Sequence, residues 1–195
     1  MAALHPVFVI VAAGTLICLF ARALAHKVSD FAWFSAILDG YKLLPPGLAQ
    51  PAAYGLATAE ALVIVGLIVP VTRPAAAMLG LVLLALYGVS IAINLMRGNR
   101  RIDCGCGGAG QGLSWFLVGR NVLLIGLAVV AAATPLPAEL GLFAWVSAIC
   151  GIAALMLVIA GAEQLNDNWS YLAAADDQSY VLHHPHVHDH GEEHH

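Results

Sequence analysis

Residues 74–96 read PAAAMLGLVLLALYGVSIAINLM, 23 residues without a single Asp, Glu, Lys or Arg. About 20 apolar residues in a helix cross the hydrocarbon core of a bilayer, so this stretch predicts a transmembrane helix. A second uncharged run of 23 residues, LGLFAWVSAICGIAALMLVIAGA, covers 140–162. Working outward, 52–71 holds one carboxylate, Glu60, and 113–133 holds one cation, Arg120. The stretch 6–25 is uncharged until Arg22, whose long stem can snorkel to the interface. Five spans are therefore expected, at 6–25, 52–71, 74–96, 113–133 and 140–162.

Composition agrees. Hydrophobic residues make up 61% of the 195-residue chain and charged residues 10%. A soluble domain carries about 45–50% apolar and about 25% charged residues. No water-soluble core of this length hides so much apolar surface, and the mean hydropathy is +0.84. Lipid must solvate much of the chain. The net charge of −4 gives no basic field, which excludes nucleic acid as a partner. The predicted fold is all-α: a polytopic membrane bundle with a four-helix core, a fifth transmembrane helix beside it, and a disordered His-rich tail. Residues 1–162 form the membrane domain and 163–195 the polar tail. Ala23-Leu24-Ala25 resembles a signal-peptide cleavage site, but Met1 to Pro6 lacks the positive n-region, so the first span is read as retained.

The connecting segments differ in character. His26 to Gln50 mixes aromatics with isolated charges and ends on Pro45-Pro46-Gly47, which suits a segment at headgroup level. Pro70 to Pro74 is short enough to make a hairpin of the second and third spans. Arg97 to Gly112 is glycine-rich and carries Arg97, Arg100, Arg101 and two cysteines.

Of the four cysteines, Cys18 and Cys150 fall within spans, where a thiol behaves as a small apolar group. Cys104 and Cys106 are different. They flank one glycine in Asp103-Cys104-Gly105-Cys106-Gly107-Gly108, just after Arg100 and Arg101. Positive charge favours the thiolate, the form that attacks disulfides or binds metal. A disulfide between residues i and i+2 closes only a constrained ring, and strain makes it more oxidising. The pair therefore fits electron transfer, with a half-site for a soft metal or two unrelated loop thiols as alternatives.

An ionisable group within a span normally faces the bundle interior or a partner. Glu60 and Arg120 carry opposite charges on different predicted helices, and mutual pairing is the economical expectation; together they would order the bundle. The end of the chain holds seven of the nine histidines. His183, His184, His186, His188 and His190 alternate in a way that can wrap Zn, Ni or Cu, and a solvated tail without metal is the plain alternative.

The order of Lys27-Val28-Ser29-Asp30-Phe31, Glu60, Ile102-Asp103-Cys104-Gly105-Cys106-Gly107 and Gly119-Arg120-Asn121 resembles the methylamine utilisation protein MauE family. That family belongs with the DoxX-like four-helix membrane proteins, and the resemblance covers about residues 5 to 160. It implies a role in maturing the small subunit of methylamine dehydrogenase, a disulfide-rich exported client, together with a thioredoxin-like periplasmic partner. The chain is also distantly similar to the vitamin K epoxide reductase-like bundle, where cysteines before the fourth helix pass electrons to quinone. That similarity suggests quinone as electron acceptor, although the extra loop cysteine pair of those enzymes is missing.

The expected function is thiol–disulfide exchange at the membrane surface, with Cys104 and Cys106 as the redox pair and Arg100 and Arg101 favouring the thiolate. The competing reading is a non-enzymatic metal-handling or scaffold module using the Cys pair and the His tail. Five spans place the first loop, the Cys loop and the tail on one side of a bacterial inner membrane. The bias of Lys and Arg toward cytoplasmic loops assigns that side to the cytoplasm, whereas the resemblance implies the periplasm. The periplasm is favoured, because the arginines have a competing reason to flank the thiols.

Overall fold

The computed structural model describes residues 3–99 and 112–183, with side chains over 4–99 and 112–169. Helix α1 (Pro6–Ser29) opens with Pro6 at its first position, where the missing N–H costs nothing. It ends at Asp30, whose Oδ1 accepts from the Trp33 N–H at 2.9 Å and so caps α2 (Phe31–Gly40). The segment from His26 to Gln50, expected at headgroup level, thus contains a ten-residue helix. Lys42 at φ 49° breaks it. Helix α3 (Ala49–Ile68) then rises, with Pro51 in its first turn.

A turn over 69–72 leads into α4 (Arg73–Met96), the hairpin expected from the sequence. Thr72 Oγ1 donates to Gly66 O at 2.9 Å across this turn. The two helices approach closely here: a Cβ on Gly66 would lie 2.6 Å from the Cβ of Ala76, so only glycine fits. Helix α5 (Trp115–Ala132) follows, then α6 (Leu142–His183). Two short strands, β1 (Ala3–Leu4) and β2 (Thr134–Pro135), pair in parallel. They close the end of the bundle opposite α2. At that end Arg73 donates to the carbonyls of Ala131 and Ala133 at 3.1 and 3.3 Å, satisfying the last turn of α5.

The core lies among α1, α3, α4 and α5, with Leu16, Phe20, Val63, Ala77, Leu84, Leu124 and Ala128 buried together. Helix α6 packs along α1. Its outer face leaves Leu142, Phe143, Leu157 and Val158 exposed, as a lipid-facing helix requires. Five helices are long and apolar enough to cross a membrane: Pro6–Ser29, Ala49–Ile68, Arg73–Met96, Trp115–Ala132 and Leu142–Trp169. The four-helix core with a fifth helix beside it is the architecture expected.

The boundaries differ at two telling places. The first helix runs four residues beyond 25, and the last continues through the polar stretch 163–183 rather than stopping at 162. In both cases a charge that reads as the end of a span is buried against an opposite charge, so the helix need not end there. The tail residues 184–195 lie outside the described residues.

Candidate functional site

One face of α1 carries Val9, Leu16, Phe20 and Lys27, spaced by seven, four and seven residues, so the stripe that packs the core also carries an ammonium inward. Lys27 Nζ donates to Glu60 Oε1 at 2.7 Å, with side chains 3% and 0% exposed. The Tyr87 hydroxyl from α4 donates to the same oxygen at 2.7 Å. The rings of Phe34 and Tyr87 sit 5.0 and 5.4 Å from Nζ, within cation–π range. An isolated charge here would be expelled or neutralised. The pair survives because each charge answers the other and aromatic faces cover the rest.

Glu60 is therefore paired with Lys27 rather than with Arg120, which corrects the pairing expected from the sequence. Arg120 Nη1 instead donates to Glu163 Oε1. Arg22 Nη2 donates to both oxygens of the same carboxylate, at 2.6 and 2.8 Å. Arg22 thus bonds within the bundle as well as reaching its rim. The reason for the exchange is the extra length of the two helices. Each supplies a partner, Lys27 or Glu163, from a residue the sequence assigns to a loop or tail. Periodicity signals both. Glu163 continues the inward face of α6 through Ala148, Ile152, Leu155 and Ile159 at spacings of three and four.

Between these two clusters lies a cavity of about 40 Å³ lined in part by Arg22, Lys27, Glu60, Tyr87, Arg120 and Asn121. Glu60 Oε2 is buried and has no hydrogen-bond partner among the described residues. The space admits a water that could serve it. Glu60 and Arg120 therefore share a cavity without bonding each other.

The same half of the bundle holds both anchors of the Cys segment. At the end of α4, the backbone N–H of Asn99 donates to Asn94 O at 3.0 Å and its side chain to Asn94 Oδ1 at 3.3 Å. Before α5, Leu113 and Leu117 pack with Ile37, Tyr41, Ile91 and Leu95. Asn99 and Leu113, which flank the stretch 100–111 in the sequence, both sit at the mouth of the bundle on the α2 side. Arg100, Arg101, Cys104 and Cys106 lie outside the described residues, as do His184, His186, His188 and His190. His183 is the final residue of α6. No group of three or more His, Cys, Asp or Glu suited to a metal occurs among the described residues. Cys18 and Cys150 are free thiols on the outer, lipid-facing surface rather than packed inside.

Beside the Lys27 ammonium a larger cavity of about 430 Å³ opens between α2, α3 and α4. Its walls are mostly apolar, including Phe34, Ile37, Leu56 and Ile91, with Ser90, Tyr41 and Tyr87 among the polar exceptions. The sequence carries no sign of this cavity, because residues 26–50 equally suit a connection at headgroup level and a cavity has no linear signature.

Comparison with known proteins gives a consistent result. The family described as methylamine utilisation protein MauE matches residues 5–134. A methylamine utilization protein MauE from Methylorubrum extorquens is 40% identical over 129 residues, 65% of this chain and 68% of that protein. Proteins of the same name from Paracoccus versutus and Paracoccus denitrificans are each 38% identical. Those alignments cover 60% and 62% of this chain and 64% and 65% of the relatives. No solved structure matches. The family match ends before α6, so Glu163 lies outside it.

Proposed function

The chain belongs to the methylamine utilisation protein MauE family, and from that premise we propose that it is a multi-pass membrane protein of methylamine utilisation that carries out thiol–disulfide exchange for an exported client. The observation that carries this reading is the Cys104-Gly105-Cys106 pair, set behind Arg100 and Arg101 in the sequence between Asn99 and Leu113, two residues that the bundle holds. A thiolate of the client, or of a thioredoxin-like partner, attacks one sulfur of the Cys104–Cys106 disulfide. A mixed disulfide forms, and the second client thiolate resolves it. The client gains its disulfide, while two electrons and two protons pass to the Cys pair. Arg100 and Arg101 favour the thiolate on the leaving side.

The expected client is the disulfide-rich small subunit of methylamine dehydrogenase. The site faces the periplasm, since client and oxidising chemistry coincide there. The buried ion pairs hold the helices that present the loop and do not exchange electrons themselves.

Trapping tests the reading. A Cys106→Ser chain, whose Cys104 thiolate attacks the disulfide of the oxidised client or thioredoxin-like partner in the reverse of this exchange and lacks the second thiol to resolve it, should accumulate a mixed disulfide, and cells carrying it should fail to grow on methylamine. Normal growth with Cys106→Ser would overturn it.

A further inference from the structure

Four of the residues lining the 430 Å³ cavity also reach the molecular surface: Leu43, Leu44, Gly55 and Leu86. None of the four has a polar side chain. Beside them Tyr54, Val82 and Val89 are exposed, as on a surface that faces lipid. The register of the α3–α4 hairpin places the opening. Gly66 meets Ala76 near the turn, so counting equally along both helices Gly55 comes level with Tyr87, next to Leu86. Gly55 lies about 9 Å from the start of α3, and Leu86 about 15 Å from the end of α4. Both depths fall within one leaflet of a hydrocarbon core about 30 Å thick. The chamber therefore opens sideways onto acyl chains rather than onto water.

The walls decide what fills it. Apart from Lys27, Ser90, Tyr41 and Tyr87 they are apolar. Water needs about 2–4 polar partners, and an unfilled chamber forfeits the dispersion contacts of its lining. The volume lies within the roughly 300–1,000 Å³ of small-molecule sites. Lys27 stands two residues before the end of α1, near the boundary of acyl chains and headgroups where lipid esters lie. Its ammonium has three donors, and Glu60 takes one of them. Because the pair is already neutral, the carboxylate of a free fatty acid would bring an unmatched charge beside Glu60, whereas an ester carbonyl brings none. We infer that the cavity holds one acyl chain of a membrane glycerophospholipid, seated between α3 and α4 past Gly55 and Leu86, with its ester carbonyl accepting from Lys27. The chain fills the space between α2 and the α3–α4 hairpin, so the lipid fastens α2 to the bundle. Its binding is independent of thiol chemistry.

Gly55 supplies the test. A Cβ placed there meets no atom within 4 Å, so Gly55→Leu fills the opening without displacing protein, and it improves helix propensity. Ser90→Phe fills the chamber from the α4 wall. The full chain is purified in mild detergent, and the lipid retained per chain is counted by native mass spectrometry. Wild type should carry one phospholipid, and each variant at least tenfold less. Palmitoyl-oleoyl-phosphatidylglycerol added back to the delipidated chain should saturate at one per chain and raise the melting temperature of wild type alone. Palmitoyl-oleoyl-phosphatidylethanolamine should do the same, because the site takes the ester and the chain rather than the headgroup. Palmitate should compete with neither. In lipid-free form wild type and Gly55→Leu should have the same helicity and melting temperature, so that the loss of lipid reports the site and not the fold. Equal retention of phospholipid in wild type and both variants, an isoprenoid lipid retained in its place, displacement by palmitate, or lipid loss confined to variants whose lipid-free helicity has fallen would overturn the assignment.

Discussion

Removing one member of the Lys27–Glu60 pair should be among the most damaging single changes in this chain. Both side chains are buried, at 3% and 0% exposure, so Glu60→Gln leaves the ammonium without its counter-charge in a low-dielectric interior. Breaking a buried pair from one side costs about 3–5 kcal/mol. A loss of 1 kcal/mol lowers the melting temperature of a chain this size by about 2–4 °C, so a fall of about 6–20 °C is expected in detergent. Lys27→Met strands the carboxylate and should cost a similar amount. The double variant Lys27→Met, Glu60→Gln leaves no uncompensated charge and should recover a large part of the loss. Glu60→Gln combined with Arg120→Gln should show no such recovery, because Arg120 bonds Glu163. Thermal unfolding followed by circular dichroism in one detergent supplies all the values. Additive losses for Lys27 and Glu60, or recovery in the Glu60–Arg120 combination, would refute the arrangement.

Glu163→Gln leaves Arg22 and Arg120 sharing a neutral amide and should cost about 3 kcal/mol, the low end for a broken buried pair, because Arg22 is 30% exposed and can turn outward; an unchanged melting temperature would count against this cluster. Gly66→Leu drives a side chain into Ala76, with the first atom at 2.6 Å, and should lose about 1–3 kcal/mol by overpacking, whereas wild-type stability would deny the close contact of α3 and α4. Reporter fusions at Gln50 and Tyr180 should agree with each other and disagree with one at Thr72; a fusion at Tyr180 that sides with Thr72 would break the five-span topology.

The spans were legible because lipid imposes a length on apolar runs that 74–96 and 140–162 meet without interruption. What the runs concealed was where they end. Lys27 and Glu163 each follow an apolar stretch and, taken singly, mark its boundary. Their burial depends on partners distant in the chain, Glu60 for Lys27, and Arg22 with Arg120 for Glu163. Helical periodicity would have exposed both, since each continues an inward-facing stripe. Glu60 and Arg120 were recognisable as interior charges, yet mutual pairing was the wrong economy once two further charges entered the bundle. Helix α2 had a visible start in Asp30, the residue that caps it, but its aromatics and charges also suited a loop at headgroup level. The cysteine pair was legible from composition and spacing alone, and the fold adds the places of its described neighbours, Asn99 at the end of α4 and Leu113 ahead of α5.

Alkylation-shift analysis of Cys104 and Cys106 in native membranes tests the central claim most directly. Cys18→Ala and Cys150→Ala, both at exposed positions, first remove the other two thiols. The account predicts two interconvertible species, a disulfide form that resists alkylation and a dithiol form that takes two labels, shifting with added reductant and oxidant. A pair that stays fully alkylated under oxidising conditions, with the chain still supporting growth on methylamine, would contradict it.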